Sequence, residues 1–473
     1  MGRDGSGPPH AAERTGPALK KDVRRAAPAR APARMIVYSF AAIILMGTLL
    51  LMLPFSSRSG AVTPLWNALF TATSATCVTG LVIYDTYTHF SPFGQAVILC
   101  LIQVGGLGLV TFTAFFNLII GKKLGLRDMQ LASESVSADT MADMPRLIRL
   151  AVLTSVVVET AGALLLCTVF VPKYGGKGLA ISIFLAVSAY CNAGFDILGR
   201  EGPFASLSGY NGAPVVLFTL MLLIVFGGLG FVVWRDLFEW HKTRRLQLHT
   251  RIVLKMTVLL ILFGAAMFLI LEWSNPRTLG PLSFFERINA ALFQSVSFRT
   301  AGFNSVDIGG MREITKVIGI LLMFIGAAPG STGGGVKVTA AAVLLMTVVC
   351  ASRGQEDTMI HKRRVPKSVV YKAMAVVTLG LAIIGVTSLI INGTAHINDR
   401  GLTGIDVIFE TVSAFSTAGL SAGVTAAANL PSKMVLILTM FIGRVGPVAF
   451  VLSMSMRTGQ KRREIIPDGK IYL

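Results

Sequence analysis

The chemistry in this 473-residue chain lies in four short phrases of small and hydroxylated residues: TCVTG at 76–80, YCNAG at 190–194, FRTAG at 298–302 and FSTAG at 415–419. Each ends in glycine, and Gly80, Gly194, Gly302 and Gly419 follow one another at intervals of 114, 108 and 117 residues. None of the phrases holds a carboxylate, so the donors they offer are backbone carbonyls. A dehydrated monovalent cation needs several oxygens at once. A run of small residues closed by Gly lets successive carbonyls turn toward one axis, because Gly accepts the dihedrals this demands. Four such runs make a ring. The third copy is one residue shorter between its Val-Ser and its Gly and carries Arg299, so the ring is expected to be only pseudo-fourfold.

The residues before each phrase, such as PLWNALFTATSA and GIDVIFETVSAF, form one-sided apolar stretches. At about ten residues they are too short to cross a hydrocarbon core of roughly 30 Å. They are expected to dip in and return as short helices, buried in protein, with their partially negative C-terminal ends aimed at the cavity. Longer apolar segments flank them, at 35–55, 95–120, 147–171, 214–234, 252–271, 314–350, 368–391 and 433–456. A composition of 53% hydrophobic and 14% charged residues excludes an ordinary soluble domain. The expected fold is therefore an all-α integral membrane protein of four span–pore-helix–span repeats around one pore. The repeats are 35–123, 147–234, 252–350 and 368–457, between a disordered basic tail at 1–34 and a C-terminal tail at 458–473.

A formal charge of +19 invites a nucleic-acid reading, but its distribution argues against one. Alternating the spans puts both tails and the segments near 122–149, 235–255 and 353–372 on one side, with 30 of the 43 Lys and Arg residues. That is the bias of cytoplasmic loops, so both termini are expected inside the cell. The patches KKLGLRD, HKTRRLQLHTR, HKRRVPK and GQKRR act as orientation signals, or bind acidic lipid or a soluble partner. The cysteines, Cys77, Cys100, Cys167, Cys191 and Cys350, lack metal-type spacing and are expected to be free thiols. No HExxH motif and no nucleophile elbow stands out.

A second repeated feature lies in the later helix of each unit: QVGGLGLV at 103–110, VFGGLGFV at 225–232, FIGAAPGSTGGGV at 324–336 and FIGRVGPVAF at 441–450. In the first two units these glycines read as close helix packing. The third cannot stay helical with Gly326, Pro329, Gly330, Gly333, Gly334 and Gly335 in it. An irregular loop over 326–335, including Ser331 and Thr332, is expected below the ring, bordered by Lys337. Its GSTGGGVK is not a nucleotide loop, since Val336 separates the last Gly from Lys337. Arg444, mid-span in the last unit, must face the bundle interior or water, and Glu159 is a conceivable partner.

Four units of this form, the interrupted helix in the third and FIGRVGP in the last resemble the Trk/Ktr/HKT superfamily of potassium transporters over 35–458. TSATCVTGL and FRTAGFN look most like the membrane subunit of bacterial Ktr-type systems. The resemblance implies potassium uptake across the bacterial plasma membrane, no enzymatic activity, no covalent cofactor, and sodium as an activator in Ktr types. It also implies a homodimer with one pore per subunit and a separate cytosolic nucleotide-binding ring docked on the basic face. Filter positions carry over to Thr76, Cys77, Val78, Thr79 and Gly80; to Tyr190, Cys191, Asn192, Ala193 and Gly194; to Arg299, Thr300, Ala301 and Gly302; and to Phe415, Ser416, Thr417, Ala418 and Gly419. The gate carries over to the 326–335 loop and Arg444. Sodium transport by the same fold is the rival reading. In plant-type members Ser at the first filter Gly goes with sodium, and Gly80 stands here. The long Arg/Pro/Ala tail departs from the family pattern.

Overall fold

The computed structural model describes residues 30–108, 144–394 and 401–454; the end of the first repeat, the loop that follows it and the expected tails lie outside these, except that residues 30–34, expected in the disordered tail, are helical and open the first span. The described residues are mostly helical, with a two-stranded hairpin of β1 (Met359–Ile360) and β2 (Arg363–Arg364).

Each unit opens with a long apolar helix: α1 (Arg30–Met52), α4 (Met144–Tyr174), α8 (Leu248–Glu272) and α12 (Lys367–Thr394). These four are long and apolar enough to cross a membrane. Between a fifth and two fifths of each span is buried, and Leu49, Leu164, Leu262 and Leu389 stay exposed. A protein in water would cover such a surface; one in lipid presents it.

The second helices are short and inside: α2 (Leu65–Thr76), α5 (Gly176–Tyr190), α9 (Phe284–Ser297) and α13 (Gly404–Phe415). Local chemistry starts two of them. Ser283 with Glu286 and Thr403 with Asp406 form capping boxes that satisfy the first free amides. Their last turns are buried, Ser and Thr included, with Val187 alone among those residues partly exposed, so polarity runs opposite to a soluble bundle. Asp406 also meets Lys316 at 2.6 Å in a buried ion pair. Glu410 accepts from the backbone of Ala422 (2.9 Å) and Thr425 (3.0 Å) and from Ser421 (2.7 Å), fixing the segment that leaves the fourth phrase.

The last helix of each unit is broken. α3 (Pro92–Leu107) stops at Gly108, and the rest of the expected 95–120 span lies outside the described residues. The expected 214–234 span is two helices, α6 (Pro214–Gly228) and α7 (Phe231–Thr243), bent by 95°. α10 (Glu313–Phe324) and α11 (Val338–Ser352) flank the glycine-rich loop, and α14 (Leu430–Val445) is separated from α15 (Pro447–Met454) by Gly446. The expected continuity of the second and fourth of these spans is thus corrected. Gly108, Gly230 and Gly446 have φ of 80°, 88° and 96° with ψ near 140°, a combination helices cannot contain and only Gly adopts without strain.

Candidate functional site: four glycine turns over a broken-helix layer

The four phrases fold into one repeated turn. After each short helix comes a residue in the left-handed region, Val78 (φ 56°), Asn192 (59°), Thr300 (65°) and Thr417 (51°), and two residues later the glycine, at 94°, 69°, 82° and 81°. Positive-φ residues thus alternate with an ordinary one through the end of each phrase. Three of the four left-handed residues are β-branched, where that conformation costs about 1–3 kcal/mol each. A brace holds the strain. Thr79, Ala193 and Ala418 donate their N–H to the carbonyls of Ser74, Ser188 and Ser413 at 2.7–2.8 Å, closing five-residue steps. In the third copy Ala301 donates to Ser297 at 3.0 Å, a four-residue step, so the missing residue is taken out inside the brace.

The turns stand edge to edge. A Cβ built on Gly80 would lie 2.5 Å from the Ala193 carbonyl, one on Gly194 2.7 Å from Gly302 Cα, and one on Gly302 2.9 Å from the Ala418 carbonyl; one on Gly419 would strike the Thr79 carbonyl. The series closes, unit one to two to three to four and back. The hydroxyls of Thr76, Thr79, Thr300, Ser416 and Thr417 are buried with no protein partner among the described residues, which leaves oxygen beside the carbonyls unspent. Two side chains within the phrases point away. Arg299 donates to Thr257 of α8 at 3.3 Å, and the Phe415 ring stacks on Phe324. Those residues offer the site backbone only.

Above the turns is a cavity of about 440 Å³ lined by all four glycines and by Asp85, Asp196 and Asp307. Asp85 is held by the N–H groups of Thr88 (2.8 Å) and Phe204 (3.0 Å), and Asp307 faces Arg277 at 3.3 Å. Burial pushes the Asp196 carboxyl up to about 6, against the opposing Leu198 N–H, and the charge of Asp85 adds to the rise.

Below the turns lies the layer of breaks. Gly105, Gly227 and Gly443 pack flat on the last helical carbonyls of Thr76, Tyr190 and Phe415, an approach no side chain would allow. Three residues on come the breaks at Gly108, Gly230 and Gly446, with Pro329 at the matching place of the third unit. There the chain runs as a loop pinned at its neck, where Ile325 and Val336 pair and Val336 accepts from Gly326 at 2.8 Å. Built Cβ atoms on Gly333 and Gly334 would strike the Thr300 and Thr417 hydroxyls, and one on Gly335 would sit 3.1 Å from Ser416. The loop therefore passes directly beneath the third and fourth turns. Thr332 Oγ1 donates to the Tyr190 carbonyl (3.1 Å), and Lys337 Nζ to the Gly333 carbonyl (2.6 Å).

Arg444 clamps this layer together. Its guanidinium donates to the Thr332 carbonyl of the loop and to the Gly105 and Gly106 carbonyls of α3, the last at 3.1 Å. Its partners are carbonyls; Glu159 instead accepts from Gln103 at 3.2 Å through both oxygens. Sequence reasoning missed these acceptors, along with the bracing serines, because a carbonyl leaves no trace in residue type. The spacing from each Gly-rich stretch to its phrase was the available signal.

A family model described as a cation transport protein, TrkH, matches residues 12–463. The chain is 40% identical over 446 residues to the Ktr system potassium uptake protein B of Bacillus subtilis, covering 93% of this chain and 96% of that one. It is 37% identical, with the same coverage, to the potassium/sodium uptake protein NtpJ of Enterococcus hirae. Its fold is similar to that of the potassium transporter TrkH from Vibrio parahaemolyticus, with a TM-score of 0.67, 17% identity, and coverage of 92% of this chain and 86% of that chain.

Proposed function

This chain belongs to the TrkH family of cation transport proteins, which are ion transporters and not enzymes, and on that premise we propose that it takes up potassium through a pseudo-fourfold pore at the four glycine turns. The observation that carries this reading is the closed series of contacts from Gly80 through Gly194, Gly302 and Gly419. Carbonyls turned to one axis can replace the hydration shell of a monovalent cation, and the dipoles of four short helices favour positive charge there. The aspartates of the outer cavity collect cations ahead of the ring. Beneath it, the 326–335 loop bars the path and Arg444 holds the loop shut.

The remaining expectations belong to the same proposal. The protein works as a multi-pass homodimer in a bacterial inner membrane, with both termini and the basic loops on the cytoplasmic side. A separate nucleotide-binding ring docks there, and sodium acts as an activator. The second reading, sodium carried beside potassium, draws on NtpJ, whose name includes both ions. Rubidium uptake into proteoliposomes, with and without competing sodium, tests the pair. Strong rubidium uptake that equimolar sodium does not reduce supports potassium; equal competition supports the second reading; no uptake of either ion removes the pore.

A further inference from the structure

We propose that α7 is a membrane-surface helix that binds the phosphate headgroups of anionic phospholipids and, through its root, sets the position of the 326–335 loop. The sequence FVVWRDLFEWHKT changes character along its length, from apolar to mixed aromatic and basic. Phe238 and Trp240 are 53% and 38% exposed, and His241, Lys242, Arg244 and Arg245 are exposed beside them. Arg244 lies over the Trp240 ring at 5.7 Å. Glu239 is half-buried, and Asp236 is turned inward to the Gln247 N–H at 2.9 Å, so the outward end of the helix is positive. Aromatic rings beside basic groups are what an interfacial helix presents to lipid.

Direction agrees with composition. α6 has 15 residues, which at 1.5 Å each span about 22 Å, short of a hydrocarbon core of roughly 30 Å. The 95° bend then sends α7 along the membrane plane near the boundary on the basic side. It ends at the start of α8, a helix long and apolar enough to span, whose Val258, Leu259 and Leu262 are exposed. At that junction a cleft of about 440 Å³ is lined by Arg245, Leu246, Gln247, Leu248, His249 and Arg363, with no acidic side chain among them. It suits a phosphate whose acyl chains run along α8.

The other end of α7 is stitched to the loop. Phe231 donates its N–H to the Gly330 carbonyl at 3.0 Å, while the Gly228 and Gly227 carbonyls accept from Ala328 (3.0 Å) and Thr332 (3.3 Å). Gly230 rides over the Pro329 carbonyl, which a Cβ there would approach to 2.6 Å. Tilting the helix by its outer end therefore moves the loop segment that Arg444 grips. The role in gating rests on the proposed reading of that loop as the gate; the lipid site does not.

The test uses the full chain in vesicles of phosphatidylcholine alone or mixed with phosphatidylglycerol. Retention of phosphatidylglycerol by the purified protein is read by native mass spectrometry, and rubidium flux in both vesicles. The K242Q/R244Q/R245Q protein should lose most of its preference, each charge being worth about fivefold at an anionic surface. Its flux should no longer differ between the vesicles, whereas K242R/R244K/R245K should behave as the parent. Equal retention of both lipids by the parent, or unchanged retention by the glutamine variant, overturns the site. Lost retention with lipid-dependent flux intact overturns the coupling. Flux that ignores lipid but loses its response to an added soluble subunit in the glutamine variant makes the surface a protein dock and overturns the proposal. R444A in phosphatidylcholine checks the gate separately: unchanged flux there removes the gate reading and leaves lipid retention standing.

Discussion

The layer of glycine turns and the layer of helix breaks beneath it are built from the same four repeats and use them in opposite ways. In the turns, all four units adopt nearly the same backbone, down to the positive φ at the residue two before each Gly. In the breaks, the units interrupt at one shared register, and those whose continuation is described then diverge: α6 bends by 95° into α7, the third unit runs out as a loop, and the fourth restarts as α15. One position shows the divergence best. Gly106, Gly228 and Ala327 occupy it in the first three units, and Arg444 in the fourth. On the proposed reading the upper layer coordinates a spherical ion, which rewards equivalence because each unit then supplies the same oxygens. On the same reading the lower layer is a barrier that opens, which needs one element able to move and one charge to hold it, and symmetry would forbid both.

Breaking equivalence in the upper layer should have the largest effect. Gly80→Ser places a side chain at φ 94° and its Cβ 2.5 Å from the Ala193 carbonyl. With strain of about 1–3 kcal/mol at such a position, potassium over sodium discrimination should fall by about tenfold to a hundredfold. Bi-ionic rubidium and sodium uptake measures it, and unchanged discrimination would falsify the assignment of Gly80 to a selective ring.

In the lower layer the decisive variant is Arg444→Ala. It removes three hydrogen bonds to carbonyls, each charge-assisted bond being worth about 1.5–3 kcal/mol. Flux should rise by roughly tenfold as the loop is released, with a fall in melting temperature limited by the absence of a stranded carboxylate partner. Arg444→Lys keeps the charge but cannot span the loop and α3 together, so it should fall between the two. A large drop in stability with normal flux per molecule would make Arg444 purely structural, and the contrast between the layers would lose its gate.

The two layers also differ in how far the sequence revealed them. The turns were legible because their requirement is written in side chains: only small residues and a terminal Gly permit the backbone, so the phrase recurs visibly, and even the shorter third copy could be counted. The interruption in the third unit was legible for the same reason, six helix-breaking residues in ten. The other breaks were not. A Gly that stops a helix and a Gly that packs flat against a carbonyl look alike in sequence, and Gly105 and Gly108 do one job each within four residues. The partners of Arg444 were hidden because they are carbonyls of Gly105, Gly106 and Thr332, whereas Glu159 was the visible charge.

Changing one break alone should alter rate and spare selectivity. Gly230→Ala forces a Cβ toward the Pro329 carbonyl at a φ of 88°, a strain of about 1–3 kcal/mol placed on the loop root and away from the ring. Rubidium flux should change by severalfold while the rubidium to sodium ratio stays put. A shifted ratio would mean the layers are coupled and cannot be read apart.

The smallest effect is expected from protons in the outer cavity, and its form distinguishes capture from gating. Burial holds the Asp196 carboxyl up at about 6, helped by the charge of Asp85, so this group is charged at neutral pH and neutral in mild acid. Asp307 faces an arginine and Asp85 is tied to two backbone amides, and the Asp196 carboxyl beside them titrates in this range. A cation several ångströms from one carboxylate in a wet cavity gains on the order of 0.5–1 kcal/mol. Lowering the outside from about pH 7.5 to about pH 5 should then raise the half-saturating rubidium concentration by about two- to fivefold, with the maximal rate unaltered. Asp196→Asn should show the acid value at both conditions. If the maximal rate moves instead, protons act on the breaks and not above the ring. If Asp196→Asn keeps the parent's pH profile, the cavity aspartate contributes nothing to capture, and the turns select ions without help from the charge above them.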